Sequence, residues 1–260
     1  MSGIVVIKCG GSTLEQLSDD FFQSITKLKQ EGKHPVLVHG GGPDINQMLE
    51  QLSIKSEFVD GLRKTTSVVL DTVEMVLCGR VNKQLVKRTQ EGESLAIGLA
   101  GCDANLLMVK PVDVEKLGYV GEPIHVNAEL IHSLVDQQLI PVIAPIGVDE
   151  DGTHFNVNAD TAAGAIAEAL GANELIFVTD VDGILKDGAA LETVTEEEVH
   201  EFIQSGVIYG GMIPKVRAAL HSLKGSLPFV RIVNGKHAVF SASNGLSGTK
   251  IIKQTVPSVS

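Results

Sequence analysis

A chain of 260 residues, 43% of them hydrophobic, can bury a full core, which excludes a disordered tail and suits one large α/β domain or two lobes sharing a sheet. Its 21 Lys and Arg against 32 Asp and Glu leave a net charge of −11, which repels nucleic acid and anionic membranes in bulk, so phosphate groups must be met by a few placed cations. Cys9, Cys78 and Cys102 form no CxxC pair, and the longest nearly uncharged apolar stretch, residues 139–148, is too short to span a bilayer; a soluble, cytoplasmic protein with reduced thiols is expected.

Residues 4–7 are a short β-branched run opening into Lys8-Cys9-Gly10-Gly11-Ser12, the pattern of a central strand ending in a glycine loop. Lys8 is either an ordinary strand-end lysine or a cation beside backbone N–H groups that the two glycines let close to a phosphate. Residues 14–31 carry Leu17, Phe21, Phe22, Ile25 and Leu28 at helical spacing and predict one helix stopping at Gly32. A second strand over 35–38 runs into His39-Gly40-Gly41-Gly42-Pro43-Asp44 before a helix from about residue 44 to 52. Three consecutive glycines make either an anion-binding turn or a tight turn packed beneath another loop. With Ile45 where a dinucleotide fingerprint needs glycine, GxGxxG is absent.

The polar connection 57–66 contains Arg63, which is either a surface arginine or a two-pronged donor for a carboxylate. Residues 68–89 read as a long helix with Val69, Val73, Val76, Leu77, Val81, Leu85 and Val86 on its apolar side, buried in the core or against a second subunit. A strand over 95–99 follows. The short extended runs of 106–126 predict a hairpin excursion from the sheet, 127–138 a helix, and 140–146 a strand bounded or bulged by Pro141 and Pro145.

The stretch 156–185 organises the rest. Asn156, Asn158 and Asp160 stand just before an alanine-rich helix over 161–170, where free N–H groups and the positive dipole end favour anions, so Asp160 is either a helix cap or a site acid. The strand 175–179 is apolar on both faces and ends in Asp180-Val181-Asp182-Gly183, and ligands of open α/β sheets bind at such carboxyl edges. Thr195, with acids behind it, caps a helix ending near Gly206. Tyr209-Gly210-Gly211-Met212-Ile213-Pro214-Lys215 then puts a lysine in a first helical turn, where it opposes the dipole by about 0.3–1 kcal/mol and suggests an anion to hold. Closing strands are expected over 229–233 and 248–252.

Lysines beside glycine-bearing strand ends point to phosphate handling, yet GxxxxGK[ST], HRD and DFG motifs are absent, as are HExxH and GxSxG. Taken in order, Lys8-Cys9-Gly10-Gly11, His39-Gly40-Gly41-Gly42, Gly61-Leu62-Arg63, Asn156-Val157-Asn158-Ala159-Asp160, the run from Thr179 to Leu185 and the run from Gly210 to Lys215 resemble the amino-acid kinase family over nearly the whole chain. The resemblance implies a three-layer αβα sandwich around a mainly parallel sheet, with an acyl amino acid lobe over about 1–170 and an ATP lobe over about 171–260. Within the family, the pattern is most similar to the branch that phosphorylates the γ-carboxylate of N-acetyl-L-glutamate to an acyl phosphate in arginine biosynthesis. Such a nucleophile, with an ordinary pKa near 4.3, arrives ionised and needs no general base.

The resemblance further implies that Lys8 and Lys215 stabilise the transferring phosphoryl group and that Asp160 holds both lysines. It assigns Gly41, Gly42, Arg63, Asn156 and Asn158 to the substrate, and Gly10, Gly11, Asp180, Val181, Asp182, Gly183, Ile184, Leu185, Val207, Ile208 and Tyr209 to the nucleotide. Mg²⁺ is expected on the ATP phosphates without dedicated protein ligands. Because the first strand starts almost at once, a homodimer without the N-terminal helix of hexameric, arginine-inhibited members is expected. Two departures stand out: Cys9 replaces a bulkier apolar residue and is expected to act as a small apolar residue, its thiol beside Lys8 being a secondary candidate for alkylation, and Ala104 replaces a common glycine. Aspartate, glutamate 5-, uridylate, carbamate and aminoadipate kinases share the glycine motifs, and a non-catalytic nucleotide sensor is the reading from another class.

Overall fold

The computed structural model describes residues 3–253, apart from 93, 187, 211, 224 and 242–244. The strands of its eight-stranded sheet are numbered along the chain: β1 (Ile4–Cys9), β2 (His34–His39), β3 (Ala96–Ala100), β4 (Ile140–Ala144), β5 (Glu174–Thr179), β6 (Thr193–Thr195), β7 (Phe229–Asn234) and β8 (Thr249–Ile252). In space they run β6-β8-β7-β5-β1-β2-β4-β3, and β7 with β8 is the one antiparallel pair. The apolar runs follow from burial on both faces. Ile4 and Val6 of β1 enter one core with Phe177 and Ile166, whereas Val5, Ile7 and Cys9 enter the opposite core with Phe21 and Ile25.

Helices α1 (Asp19–Gln30), α2 (Gly42–Gln51), α3 (Ser67–Glu74) and α4 (Asn82–Glu91) cover the Val5 face; α5 (Ala128–Asp136), α6 (Ala159–Ala169), α7 (Glu196–Gln204) and α8 (Met212–Leu223) bury residues in the Ile4 core. The expected αβα sandwich is thus present. The single helix expected over 14–31 is divided into a 3-10 turn, Gly11–Gln16, and α1, because Leu17 is extended and buried while the Ser18 hydroxyl caps α1 by accepting from Phe21 N at 3.2 Å. Gly32 ends α1 with φ +74°, as its position predicts.

The long helix 68–89 spans α3 and α4, joined by a π-helical segment, Met75–Val81. Pro145 divides the expected strand 140–146 into β4 and Ile146–Val148. The hairpin excursion, Leu107–Pro111 with Val120–Val126, closes with Ile146–Val148 and His154–Val157 into a four-stranded barrel. That closure joins strands distant in the chain, so local periodicity carries no sign of it.

The chain leaves β1 for β2 on one side and reaches β5 on the other. The carboxyl ends of β1, β2 and β5 therefore border the crevice where strand order reverses, the place where parallel α/β sheets bind ligands.

Candidate active site

Four loops meet at that crevice. After β1, Gly10 N donates to the Val178 carbonyl of β5 at 3.3 Å, and Thr13 folds back so that both its backbone N and its Oγ1 donate to the Gly10 carbonyl, at 3.0 and 2.8 Å. After β2, the Gly40–Gly42 turn packs directly on the first loop. A Cβ on Gly11 would lie 2.7 Å from both Gly41 N and Gly42 N, so only glycine allows the two backbones this approach. One on Gly41 would meet Leu77 Cδ2 of the π-helical segment at 2.5 Å, which gives that segment a role in seating the turn.

Lys8, at 14% side-chain exposure, sets its Nζ 2.7 Å from Asp160 Oδ1 in the first turn of α6. This contact is an ion pair without hydrogen-bond alignment, and the oxygen is sealed from solvent. The cap reading of Asp160 is answered by its neighbour: Asn158 Oδ1 accepts from Asp160 N at 2.9 Å and Thr161 N at 3.2 Å, leaving the Asp160 carboxylate for the lysine. Asn158 thus caps α6 through its side-chain oxygen, and its Nδ2 is not used by that cap.

Lys215, one turn into α8, faces the same cavity of about 170 Å³, lined by Lys8, Gly10, Gly11, Thr13, Asp160 and Thr179 among others. Its Nζ is paired with Asp180, whose carboxyl is held below the usual range chiefly by that hydrogen bond. Of the two lysines expected on Asp160, the structure pairs Lys8 with it and Lys215 with the half-exposed carboxylate of Asp180, just past β5. Gly211 lies outside the described residues.

Arg63 stands on the other side of the glycine turn, in the strand Leu62–Lys64, and is 7% exposed. Its guanidinium donates to Asn46 Oδ1 at 2.7 Å, to the Gly42 carbonyl at 3.4 Å and to Ser56 Oγ, and lies over the Phe58 ring at 4.6 Å. Every one of these partners is neutral, and burial draws the pKa of Arg63 below its usual value. Among the described residues no carboxylate forms an ion pair with it, so an anionic ligand group would complete its shell. Asn156 Nδ2 donates to Thr65 Oγ1 at 3.1 Å, and Thr65 Oγ1 donates to the Arg63 carbonyl at 2.8 Å, which ties Asn156 to the same segment.

The remaining expected residues divide by exposure. Asp182 accepts from Asn234 Nδ2 at 2.7 Å, and Gly183 adopts φ +121° against Thr249, where a Cβ would lie 2.4 Å from Oγ1. Ile184 and Ile208 point into the core at 1% and 3% exposure, so neither side chain can meet a ligand, whereas Leu185 and Tyr209 are open to solvent. Val181 and Val207 lie in the same two loops. Thr13 and Asn234 were missed by the sequence reading, and Thr179 was quoted within a motif but given no role; Asn234 carries no signal beyond its place at a strand end.

Cys9 takes the small apolar role expected of it. It points into the core, fully buried, and burial pushes its pKa up to about 12, so it is neither beside the Lys8 ammonium in a reactive sense nor open to alkylation.

The sequence model of the amino acid kinase family matches residues 3–234. The chain is similar to "Acetylglutamate kinase" of Halalkalibacterium halodurans, 57% identical over 258 residues and covering 99% of both chains. It is likewise similar to "Acetylglutamate kinase" of Geobacillus stearothermophilus, 51% identical over 254 residues and covering 98% of both. Among solved structures, a Streptococcus mutans UA159 protein superposes with a TM-score of 0.83 at 34% identity, covering 97% of this chain and 99% of that one. Carbamate kinase from Giardia lamblia bound to AMP-PNP shares the fold, with a TM-score of 0.72 at 19% identity over 97% of this chain and 99% of its own. No helix among the described residues is long and apolar enough to cross a membrane.

Proposed function

The chain belongs to the amino acid kinase family, and we propose that it transfers the γ-phosphoryl group of ATP to the γ-carboxylate of N-acetyl-L-glutamate. The observation that carries this reading is the convergence of Lys8 and Lys215 on one cavity beside two touching glycine loops, at the crevice where strand order reverses. In the reaction a carboxylate oxygen attacks the γ-phosphorus, the bond from that phosphorus to the bridging oxygen breaks, and ADP leaves with the electron pair. No proton has to move from the nucleophile. What remains is alignment and the cancelling of charge on the transferring group, which suits two ammonium groups and backbone N–H donors.

In this arrangement Lys8 and Lys215 act on the phosphoryl oxygens, and Asp160 fixes Lys8. Gly10 and Gly11 line the nucleotide's phosphate end, and the amides of Gly41 and Gly42 receive the reacting carboxylate. Arg63, lacking an anionic partner, receives the α-carboxylate, with Asn156 beside it. The loops holding Asp180 to Leu185 and Val207 to Tyr209 serve the nucleotide through backbone and exposed side chains. Residues up to about 170 then carry the acyl amino acid and those beyond it carry ATP. Mg²⁺ enters on the ATP phosphates, where it offsets their charge. That placement fits the donor set, which among the described residues includes no cluster of three His, Cys, Asp or Glu able to hold a metal.

A homodimer is supported by the sheet edge at β3, an uncharged AIGLA strand. Val68 and Met75 on the long helix and Leu95 before β3 add exposed apolar side chains. Three free cysteines and the biosynthetic names of the relatives support the cytoplasm as the compartment. The test is ADP release from MgATP with N-acetylglutamate, glutamate, aspartate or uridylate. Release confined to N-acetylglutamate is expected; a preference for another acceptor would reassign Arg63 and Asn156, and no release with any would favour a nucleotide sensor.

A further inference from the structure

His39 and Asn82 have no part in the site as drawn above, yet both are buried, at 0% and 1% exposure. A buried polar side chain must find its hydrogen bonds inside the protein. His39 is the last residue of β2, and the glycine turn begins at the next residue. Its ring makes two contacts: Nδ1 lies 2.9 Å from the Gly40 carbonyl oxygen, and Nε2 lies 3.2 Å from Asn82 Nδ2. A carbonyl oxygen only accepts, so Nδ1 carries the hydrogen and Nε2 accepts from the amide. Burial holds the ring neutral, drawing its pKa down to about 4, which keeps this one tautomer at neutral pH.

The Asn82 amide is itself fixed by strand backbone. With one hydrogen toward His39 Nε2, Nδ2 donates the other to the Val142 carbonyl of β4 at 2.8 Å, and the Leu99 carbonyl of β3 lies near at 3.3 Å. Gly98 makes room for it, since a Cβ there would lie 1.9 Å from Asn82 Oδ1. A chain of contacts therefore runs from the sheet, through Asn82 and His39, to the Gly40 carbonyl, a group that the turn's other bonds, Gly40 N to the Cys9 carbonyl at 3.0 Å and Ile45 N to the Gly41 carbonyl at 2.9 Å, do not hold.

The consequence falls on the peptide joining Gly40 to Gly41. A trans peptide is planar, so its C=O and N–H point in opposite directions. With the Gly40 carbonyl held on His39, the Gly41 N–H is turned away from the ring. Gly41 N and Gly42 N both lie on the side of the turn packed against Gly11, which lines the lysine cavity. We infer that His39 and Asn82 are positioning residues for phosphoryl transfer: by holding the Gly40 carbonyl they aim the Gly41 amide at the carboxylate that attacks. This inference rests on the proposed reaction.

The test compares His39→Leu, which removes both ring contacts, with His39→Asn, whose side-chain amide can replace Nδ1–H at the Gly40 carbonyl. His39→Leu is expected to raise KM for N-acetylglutamate about tenfold or more while KM for ATP stays within about twofold, in line with the loss of one placed donor. His39→Asn is expected to recover most of that loss. If His39→Leu does not fold, Asn82→Ser, which withdraws the amide from Nε2, is read in the same way. A merely structural role would lower the fraction of active protein with both KM values unchanged, or leave His39→Asn as poor as His39→Leu; either result overturns the inference. Lack of wild-type turnover with N-acetylglutamate would sink the substrate reading alone. The Gly41 amide proton and nitrogen shifts, which need no substrate, would still move in His39→Leu and return in His39→Asn if the peptide plane is held as inferred.

Discussion

A lysine ammonium at a strand end is unremarkable until its surroundings are known. Lys8 is set against a carboxylate oxygen closed to water, and Lys215 faces the same cavity from a different helix. Replacing either by methionine keeps much of the side-chain length and removes the charge. Lys8→Met and Lys215→Met are each expected to lower kcat by about 10² or more, as for other groups that meet developing charge, and Lys8→Met also lowers thermal stability because it leaves the sealed Asp160 oxygen unpaired. Turnover near the wild-type level in either variant would show that its charge does not meet the transferring group. The Cys9 thiol is the opposite case, a group adjacent in sequence to the site but turned from it. With a pKa near 12 and no exposure, it should resist a thiol reagent at pH 9 in the folded protein and react once the chain is unfolded in urea. Rapid labelling of native Cys9 would contradict the burial. Which acid each lysine meets was not legible in the sequence. Asp160 and Asp180 both flank the same strand and helix, and only the three-dimensional path of α8 brings Lys215 to Asp180.

At the scale of elements, the strand ends and the Thr195 cap were the most legible features because their signals are local, whereas the other caps were not read and at α6 the sequence offered Asp160 where Asn158 caps. Ser18, Thr66, Asn127, Asn158 and Thr195 each accept from a backbone N–H at a helix start, and Thr195 with Glu198 forms a reciprocal capping box. Asn158 frees Asp160 from capping, so Asn158→Ala should cost about 1 kcal/mol in urea unfolding, the usual loss for such a cap. KM for N-acetylglutamate should stay near the wild-type value. A large rise in that KM with little loss of stability would mean that Asn158 Nδ2 meets the substrate. Breaks inside apolar runs were harder to see. Leu17 interrupts a helical pattern while remaining buried, and Pro145 divides a run whose residues are buried on both sides of it. The π-helical segment, Met75–Val81, keeps helical periodicity, so nothing in the spacing marks it.

For the whole molecule, the collinear motifs, through their resemblance to the amino-acid kinase family, were what indicated a mainly parallel sheet between helical layers. The barrel and the antiparallel β7–β8 edge depend on pairings across the chain and were not indicated. The apolar edge at β3 and the exposed Val68, Met75 and Leu95 bear on assembly. Sedimentation should give twice the mass of the 27.6 kDa chain, and Met75→Asp should shift it toward the monomer. A wild-type monomer at micromolar concentration would leave that edge unexplained. The central claim concerns the nucleophile: a carboxylate held by the glycine turn attacks phosphorus between two lysines. N-acetylglutamate carrying oxygen-18 in its γ-carboxylate would be turned over with MgATP in hydroxylamine, and the released phosphate examined by phosphorus NMR. Attack by the carboxylate makes its oxygen the bridge to phosphorus, and hydroxylamine then displaces phosphate from the acyl carbon with that oxygen attached. Phosphate bearing one oxygen-18 is the expected result; unlabelled phosphate formed at the same rate as ADP would mean that water, not the substrate carboxylate, is the acceptor.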